Sequence, residues 1–217
     1  MKIQSLLEAG FKGAIFDLDG VIVDTAKYHY LAWRWLARQH GFDFTEEDNE
    51  RLKGVSRDRS LEILLEIGKV TVSEAEKKAM ADLKNAKYVE YITGMDESEL
   101  LPGARDYILC LRDAGVKIAL GSASKNAAFI LEKLSVTSLF DAVIDGTKTI
   151  KAKPDPEVFL LACRELRLLP EDCVVFEDAV AGVQAARAAG IHVVGIGNTS
   201  QLTEANAVVG GLDELLG

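Results

Sequence analysis

Five short apolar runs recur along the chain and are separated by amphipathic segments. The runs are AIF at 14–16, VKIAL at 116–120, AVI at 142–144, CVVF at 173–176 and HVVGI at 192–196. Short runs rich in β-branched residues are typical of buried strands, and apolar residues at a period near 3.6 are typical of helices. The alternation of strands with helices over residues 102–197 therefore predicts βαβ crossovers and a parallel sheet.

One interval of the chain breaks this alternation. Between Thr25 and about Ser98 the pattern predicts helices at 26–40, about 57–67 and 73–93, the last opening with a Ser73/Glu76 capping box, and it contains no buried-strand run. We therefore expect an α/β fold in which a Rossmannoid parallel-sheet core, formed by residues 1–24 and 97–217, carries an inserted α-helical cap domain at residues 25–96.

The charge of the chain narrows the classes of partner. The chain has 217 residues, of which 48% are hydrophobic, and its formal net charge is −9. This composition is that of an ordinary globular protein, and the acidic balance argues against a nucleic-acid-binding surface. An anionic ligand would have to be held by a few local cations, because the overall field repels it.

The sequence also bears on location and assembly. The opening stretch MKIQSLLEAGFKG lacks the apolar region of a signal peptide, and no segment reaches the ~18 apolar residues of a membrane span. We expect a soluble, cytoplasmic monomer whose partner is a small molecule and neither a membrane nor a nucleic acid. Three cysteines without CxxC spacing, Cys110, Cys163 and Cys173, lie among apolar neighbours and are expected to be buried core thiols.

Polar side chains follow four of the predicted strands. They are Asp17, Asp19, Ser122, Lys153, Glu177 and Asp178. Because the carboxyl ends of parallel strands meet at one edge of a sheet, we expect these side chains to share one crevice. A serine at a helix start is usually only a cap, and a lysine is usually solvated, but the combination at the strand ends favours a functional site.

The chemistry of this set indicates phosphoryl transfer. Four clustered carboxylates require a cation, and hard oxygen ligands at an open site favour Mg²⁺. Asp17 has the attributes of a nucleophile, and Asp19 is placed to exchange protons with an attacking or leaving oxygen. Ser122 and Lys153 can receive the oxygens of a phosphoryl group.

Four motifs carry a resemblance to a known family. DLDGVIVDT, GSAS, AKPDPEVF and VVFEDAVAGVQAARAAG resemble the four motifs of the haloacid dehalogenase superfamily, and together they extend over essentially the whole chain. The resemblance implies a Rossmannoid core with a helical cap and a covalent aspartyl-phosphate on Asp17. It also implies Mg²⁺ bound by Asp17, the backbone carbonyl of Asp19 and Asp178, with Glu177 as a nearby or direct ligand.

Further stretches resemble one branch of that superfamily. DTAKYHYLAW, LKGVSRDRSL, LKNAKYV and GSASKNAAFILEKL are similar to enzymes that interconvert β-D-glucose 1-phosphate and D-glucose 6-phosphate, with β-glucose 1,6-bisphosphate as activating intermediate. This likeness implies substrate contacts from Asp17, Leu18, Asp19, Gly20, Thr25, His29, Trp33, Lys53, Gly54, Val55, Arg57, Ser60, Lys84, Ser122, Ala123, Ser124, Lys125, Asn126 and Lys153. A bisphosphate intermediate needs a second cation for its distal phosphate, and Arg57 can grip one in a bidentate manner.

Two other readings stay open from the sequence. One is a phosphatase of the same superfamily that acts on a sugar phosphate or phosphoglycolate, and the other is a non-catalytic, carboxylate-rich binding module. Lys148 and Lys151, in the loop before Lys153, have no assigned role.

Overall fold

The core of the molecule is a six-stranded, fully parallel sheet. The computed structural model describes residues 8–52 and 56–216. In chain order the strands are β1 (Gly13–Phe16), β2 (Lys117–Gly121), β3 (Ala142–Ile144), β4 (Cys173–Glu177), β5 (His192–Ile196) and β6 (Ala207–Val209). Their order across the sheet is β3-β2-β1-β4-β5-β6. The five predicted strands and the parallel α/β core are confirmed, and β6 is an addition at one edge.

The order of the strands places β1 at the topological switch point, where the strand order reverses. From β1 the chain moves outward to β2 and β3, and it then crosses to β4 and β5 on the opposite side. Phe16, the last residue of β1, pairs with Leu120 of β2 and with Phe176 of β4. A crevice between the loops that leave adjacent strands in opposite directions is where ligands bind in open α/β sheets.

The segment from Thr25 to Met95 is mostly helical where the structure describes it. Its helices are α1 (Ala26–Gln39), α2 (Glu46–Glu50), α3 (Arg57–Gly68) and α4 (Glu74–Thr93). The predicted capping box is present at α4, because Ser73 Oγ accepts from the N–H of Glu76 and the Glu76 carboxylate accepts from the N–H of Ser73. An apolar cluster that includes Trp33, Leu36 and Leu64 packs these helices together.

The sheet is covered by helices α5 (Ala104–Asp113), α6 (Ala127–Lys133), α7 (Glu157–Leu166) and α8 (Val180–Ala188). Phe159 of α7 packs in one apolar cluster with Ile15 of β1 and Val175 of β4. Cys163 and Cys173 belong to the same cluster and are buried as expected.

The expectation for Cys110 is wrong, because this residue is exposed. The buried positions of α5 are Ala104, Tyr107, Ile108 and Leu111, which follow the i, i+3, i+4, i+7 spacing of one helical face. Cys110 lies off that face, so its apolar neighbours in sequence are not its neighbours in space.

The chain divides into two compact units. One combines the residues up to Asp24 with Asp96–Gly217, and the other is Thr25–Met95. Within the first unit its two segments are joined by an antiparallel bridge between Val23 and Leu100 and by a hydrogen bond from the N–H of Leu101 to the carbonyl of Ile22. Among the described residues, no helix combines the length and the apolarity that crossing a membrane requires.

Candidate active site

Asp17 lies at the carboxyl end of the central strand. Its N–H donates to the carbonyl of Phe176 at 2.9 Å, which extends the pairing of β1 with β4 by one residue. Successive side chains of a strand point to opposite faces, so Asp17 lies on the same face as Ile15, the face that α7 covers. Asp17 is only 7% exposed.

Lys153 is held between two carboxylates on this face. Its Nζ donates to Asp17 Oδ1 at 2.5 Å and to Glu177 Oε1 at 2.7 Å. The same atom lies 4.8 Å from the centre of the Phe159 ring. Burial opposes the charged form of Lys153, but the negative charges of Asp17 and Glu177 outweigh it and raise the pKa of the ammonium group. Lys153 therefore stays protonated.

Three carboxylates converge beside this lysine. One oxygen from each of Asp17, Glu177 and Asp178 lies within 4.8 Å of the other two. Burial, together with the charges of Glu177 and Asp19, raises the pKa of Asp17 to about 7 against the opposing effect of Lys153. Loss of hydration and the charges of Glu177, Asp17 and Asp19 raise the pKa of Asp178 to about 8.

These raised pKa values result from burial first and from crowded negative charge second. A divalent cation would relieve the repulsion, and an all-oxygen donor set suits Mg²⁺. The donor set therefore fits the predicted metal. The three-carboxylate cluster found among the described residues does not include the side chain of Asp19.

Two glycines leave room for these carboxylates. A Cβ at Gly20, which has a φ of +73°, would collide with the carboxylate of Asp178. A Cβ at Gly182, in the first turn of α8, would overlap the carboxylate of Glu177. Glu177 Oε2 accepts from the N–H of Ala179 at 2.7 Å, which draws this carboxylate towards the start of α8. Neither position tolerates a larger residue without displacing a carboxylate of the cluster.

Ser122 follows β2, the strand that flanks β1 on its other side. Its N–H donates to the carbonyl of Ile144 at 2.9 Å, and its hydroxyl accepts from the N–H of Ser124 at 3.1 Å. The hydroxyl of Ser124 in turn accepts from the N–H of Asn126 at 3.2 Å. Ser122 is buried, Ser124 and Asn126 are half-buried, and the two remaining predicted residues of this loop, Ala123 and Lys125, are exposed.

Leu18 and Thr25, two further residues predicted to contact the substrate, are both buried. Leu18 is buried, and its carbonyl accepts from the N–H groups of Ile22 and Val23. Thr25 is buried immediately before α1.

The helical unit contains a second polar cluster, built around a buried lysine. Lys84 of α4 is 2% exposed, and its Nζ lies 2.8 Å from His29 Nδ1. The same ammonium lies 4.5 Å from the centre of the Trp33 ring and 4.9 Å from that of Tyr88. The hydroxyl of Tyr88 donates to Thr25 Oγ1 at 3.3 Å. The structure thus brings together four residues that were predicted separately from the sequence, with Tyr88 as the added partner.

His29 is neutral in this cluster. Burial, followed by the positive charges of Lys84 and Arg57, holds the pKa of His29 well below its usual value of 6.5. A lysine ammonium can only donate, so His29 Nδ1 is the acceptor and its proton lies on Nε2.

Arg57 and Ser60 lie on α3. Arg57 is the first residue of this helix, and its Nη2 donates to Asn85 Oδ1 of α4 at 2.8 Å. Ser60 is buried one turn further on. The predicted contacts Lys53, Gly54 and Val55 lie outside the described residues.

The two unassigned lysines have structural contacts. Lys148 Nζ donates to the carbonyl of Val143 at 2.6 Å, and Lys151 Nζ forms an ion pair with Asp155 Oδ2 at 3.2 Å.

Four residues of the site and its surroundings were not predicted from the sequence: Asn85, Tyr88, Glu157 and Gly182. Of these, Glu157 had a recognisable signal, because an acidic residue directly after a proline is typical of a helix start.

Comparisons with known proteins show what the chain is similar to. A β-phosphoglucomutase from Bacillus subtilis (strain 168) is 42% identical over 200 residues, which are 91% of this chain and 88% of that protein. A phosphorylated carbohydrates phosphatase from Thermotoga maritima is 34% identical over 91% of this chain and 92% of its own length. The crystal structure of a β-phosphoglucomutase from Clostridium difficile superposes with a TM-score of 0.88 at 42% identity, covering 94% of this chain and 93% of that one.

The family match extends over both sides of the helical insertion. The profile of the haloacid dehalogenase-like hydrolases matches residues 11–190, which include β1 to β4 and every residue of the carboxylate and lysine cluster. The chain therefore belongs to the haloacid dehalogenase-like hydrolase family of enzymes.

Proposed function

We propose that this protein is a β-phosphoglucomutase, which interconverts β-D-glucose 1-phosphate and D-glucose 6-phosphate. The observation that carries the proposal is the 42% identity to the Bacillus subtilis mutase over nine-tenths of the chain. The cluster of Asp17, Lys153, Glu177 and Asp178 supports it, because the cluster combines a buried carboxylate nucleophile with a fixed cation.

In the first half of the proposed reaction, phosphorylated Asp17 donates its phosphoryl group. The C6 hydroxyl of β-glucose 1-phosphate attacks phosphorus, and the bond between phosphorus and the carboxylate oxygen of Asp17 breaks. Asp19 accepts the proton of the hydroxyl as a general base. The products are β-glucose 1,6-bisphosphate and the free carboxylate of Asp17.

In the second half, the bisphosphate presents its other phosphate to Asp17. The carboxylate of Asp17 attacks this phosphorus, and the bond from phosphorus to the sugar O1 breaks. Asp19 returns its proton to O1, so that glucose 6-phosphate leaves and the phosphoenzyme is restored. Ser122 and Lys153 would bind the oxygens of the transferring group, for which the protonated state of Lys153 is required.

The carboxylates of Asp17 and Asp178 and the carbonyl of Asp19, with Glu177 nearby, would hold Mg²⁺. Bound Mg²⁺ would neutralise the charge that develops on the phosphoryl oxygens. In the helical unit, the guanidinium of Arg57 is the proposed group for the phosphate that is not reacting. The sugar phosphate would be the only partner needed, which is consistent with a monomer. Phosphorylated sugars are charged and do not cross membranes unaided, so we propose a cytoplasmic location.

A phosphatase is the second candidate function. The observation that favours it is the 34% identity to the phosphorylated carbohydrates phosphatase of Thermotoga maritima. Both reactions use the same nucleophile, and they differ in whether a sugar hydroxyl or water takes the phosphoryl group from Asp17. A mutase must therefore keep water away from the aspartyl-phosphate.

Phosphorus NMR separates the two functions. The protein is mixed with Mg²⁺, β-glucose 1-phosphate and a trace of β-glucose 1,6-bisphosphate. A mutase produces glucose 6-phosphate without stoichiometric inorganic phosphate, and the α-anomer of the substrate should stay unconverted. Stoichiometric release of inorganic phosphate without glucose 6-phosphate would replace the mutase proposal with the phosphatase.

A further inference from the structure

The loop between β3 and α7 positions Lys153 with little help from apolar packing. Ile150, three residues before Lys153, is 95% exposed, and Lys151, Ala152 and Pro154 are also exposed. Burial of these side chains therefore cannot fix the loop. Lys153 nevertheless has to hold its ammonium within 2.7 Å of oxygens from two different strands.

A carboxylate at the start of α7 holds this loop by its backbone. Glu157 Oε2 accepts from the N–H of Ile150 at 2.9 Å and from the N–H of Lys151 at 2.6 Å. Bonds from backbone N–H groups to an ionised carboxylate are shorter and stronger than bonds between neutral groups. The next contacts reinforce this arrangement, because Asp155 accepts from the N–H of Glu157 at 3.1 Å and forms an ion pair with Lys151.

The helix that carries Glu157 is itself fixed. Phe159, two residues further on, is fully buried in the apolar cluster on the sheet, and its ring lies beside the ammonium of Lys153. A Cβ at Gly121 would press against this ring at 3.0 Å, so the ring packs directly on β2. Glu157 thus connects a loop with exposed side chains to a helix anchored in the core.

We infer that Glu157 is a positioning residue that places Lys153 between Asp17 and Glu177. This inference rests on the proposed function only in taking Lys153 as a group that assists phosphoryl transfer to Asp17. Glu157 itself acts through the backbone of residues 150 and 151. Without its carboxylate the loop can move, and Lys153 no longer holds one position.

The first test is the rate at which acetyl phosphate, with Mg²⁺, phosphorylates Asp17. This step is common to a mutase and a phosphatase. Glu157→Ala should slow it by about 10- to 100-fold, the scale expected for a misplaced catalytic group. Glu157→Gln should stay within about fivefold of the wild type, because its amide oxygen can accept the same two N–H groups. Equal losses in the two variants would contradict the inference.

Glu74→Ala is the matched control, because Glu74 is also the first residue of a helix and has no bond to this loop in its described contacts. It should leave the phosphorylation rate unchanged.

A double-mutant cycle shows whether Glu157 acts through Lys153. In a Lys153→Ala background, Glu157→Ala should cause little further loss, since the group that it positions is absent. Losses that multiply would mean that Glu157 supports the fold in general, and the inference would fail. Should Glu157→Ala not fold, the cycle is run with Glu157→Asp, whose shorter side chain draws the carboxylate away from the N–H groups of Ile150 and Lys151.

A second readout does not depend on activity. A buried lysine in an ion pair gives a ¹⁵N–¹H ammonium signal by NMR, and Glu157→Ala should weaken or shift the signal of Lys153. An unchanged signal would overturn the inference even in an active enzyme. A wild-type protein that shows the signal but transfers no phosphoryl group would instead overturn the proposed function.

Discussion

Each of the two units contains a lysine whose side chain is largely enclosed, and the neighbours of the two lysines differ. In the core, Lys153 lies between the carboxylates of Asp17 and Glu177, beside the further carboxylate of Asp178. In the helical unit, Lys84 contacts the imidazole of His29 and the rings of Trp33 and Tyr88. The ammonium of Lys153 is thus paired with carboxylates, whereas that of Lys84 contacts a neutral imidazole nitrogen and two aromatic rings.

The electrostatic consequences of the two clusters are opposite. In the core cluster, burial and an excess of carboxylates over cations raise the pKa values of Asp17 and Asp178, and a metal ion is favoured. In the helical unit the charges of Lys84 and Arg57 help to lower the pKa of His29, which reports a positive local field. An enclosed lysine therefore does not by itself determine the local electrostatic potential. The charges of its neighbours decide whether the region attracts a cation or a phosphate.

The largest effect is expected when the nucleophile of the core cluster, Asp17, is replaced. Asp17→Asn should lower the rate of the proposed mutase reaction by about 10⁴-fold or more, because an amide cannot form the acyl phosphate. The rate is measured by phosphorus NMR, and thermal unfolding checks that the variant folds. A variant that retained a tenth of the activity would exclude Asp17 as the nucleophile.

The next largest effect is expected when the positive charge of Lys84 is removed from the helical unit. Lys84→Met keeps most of the buried volume but should lower kcat/KM for β-glucose 1-phosphate by about 100-fold, the scale for one lost electrostatic contact. Phosphorylation of Asp17 by acetyl phosphate should change far less, because this donor has neither a sugar nor a second phosphate for the helical unit to bind. Lys87→Met on the same helix is the control, since Lys87 pairs with Glu90. Equal losses in the mutase reaction and in phosphorylation by acetyl phosphate would contradict separate roles for the two lysines.

A smaller effect follows from crowding at Glu177. Gly182→Ala should displace the Glu177 carboxylate and raise the Mg²⁺ concentration needed for half-maximal activity by about 10-fold. Alanine is favoured over glycine in a helix by about 1 kcal/mol. A lower free energy of unfolding in Gly182→Ala would therefore come from the collision with Glu177. In the control Gly94→Ala, the new Cβ would approach the Tyr91 carbonyl oxygen no closer than 3.7 Å. Unaltered Mg²⁺ dependence in Gly182→Ala would mean that Glu177 adapts freely.

The smallest effect concerns the pH dependence of stability in the helical unit. Because the pKa of His29 is lowered in the folded state, the unfolded chain takes up this proton first as the pH falls through about 6.5. The free energy of unfolding should therefore decrease from pH 7 towards pH 5, by at most about 1.4 kcal/mol per pH unit for one proton.

His29→Gln should remove this contribution to the slope. The only two tryptophans of the chain, Trp33 and Trp35, are both in α1, so their fluorescence reports the unfolding of this unit. His40→Gln, at the exposed end of the same helix, is the control. A slope that is the same in wild type and His29→Gln would show that His29 does not carry the proton.

The sheet was predictable because most of its strands are short, β-branched and buried, and because four of them are followed by residues that carry chemistry. The strand β6 was not predictable, since three half-buried residues at a sheet edge give no periodic signal. Helix α2 was also missed, because its sequence EEDNE has no apolar position, and it is capped instead by Thr45 and Asp48.

The carboxylate and lysine cluster follows from strand order, but its fine structure does not. The sequence pointed to Asp17, Lys153 and Glu177 as neighbours, yet it could not reveal that Lys153 bridges the other two. The contribution of Glu157 depends on how a loop folds back onto a helix, and that of Gly182 depends on a collision across a turn. Such contacts are set by tertiary packing and leave no pattern in a single sequence.

The split of the core into two segments has a consequence during synthesis. Gly13 of β1 pairs with Lys117 and with Cys173, so the ribosome must translate most of the chain before β1 has both neighbours. At elongation rates of about 5–20 residues per second that interval is on the order of 10 s, during which the helical unit can already form from local contacts. The strand that presents the nucleophile is thus made early and completed late, and a nascent chain that stops before β4 has no assembled catalytic centre.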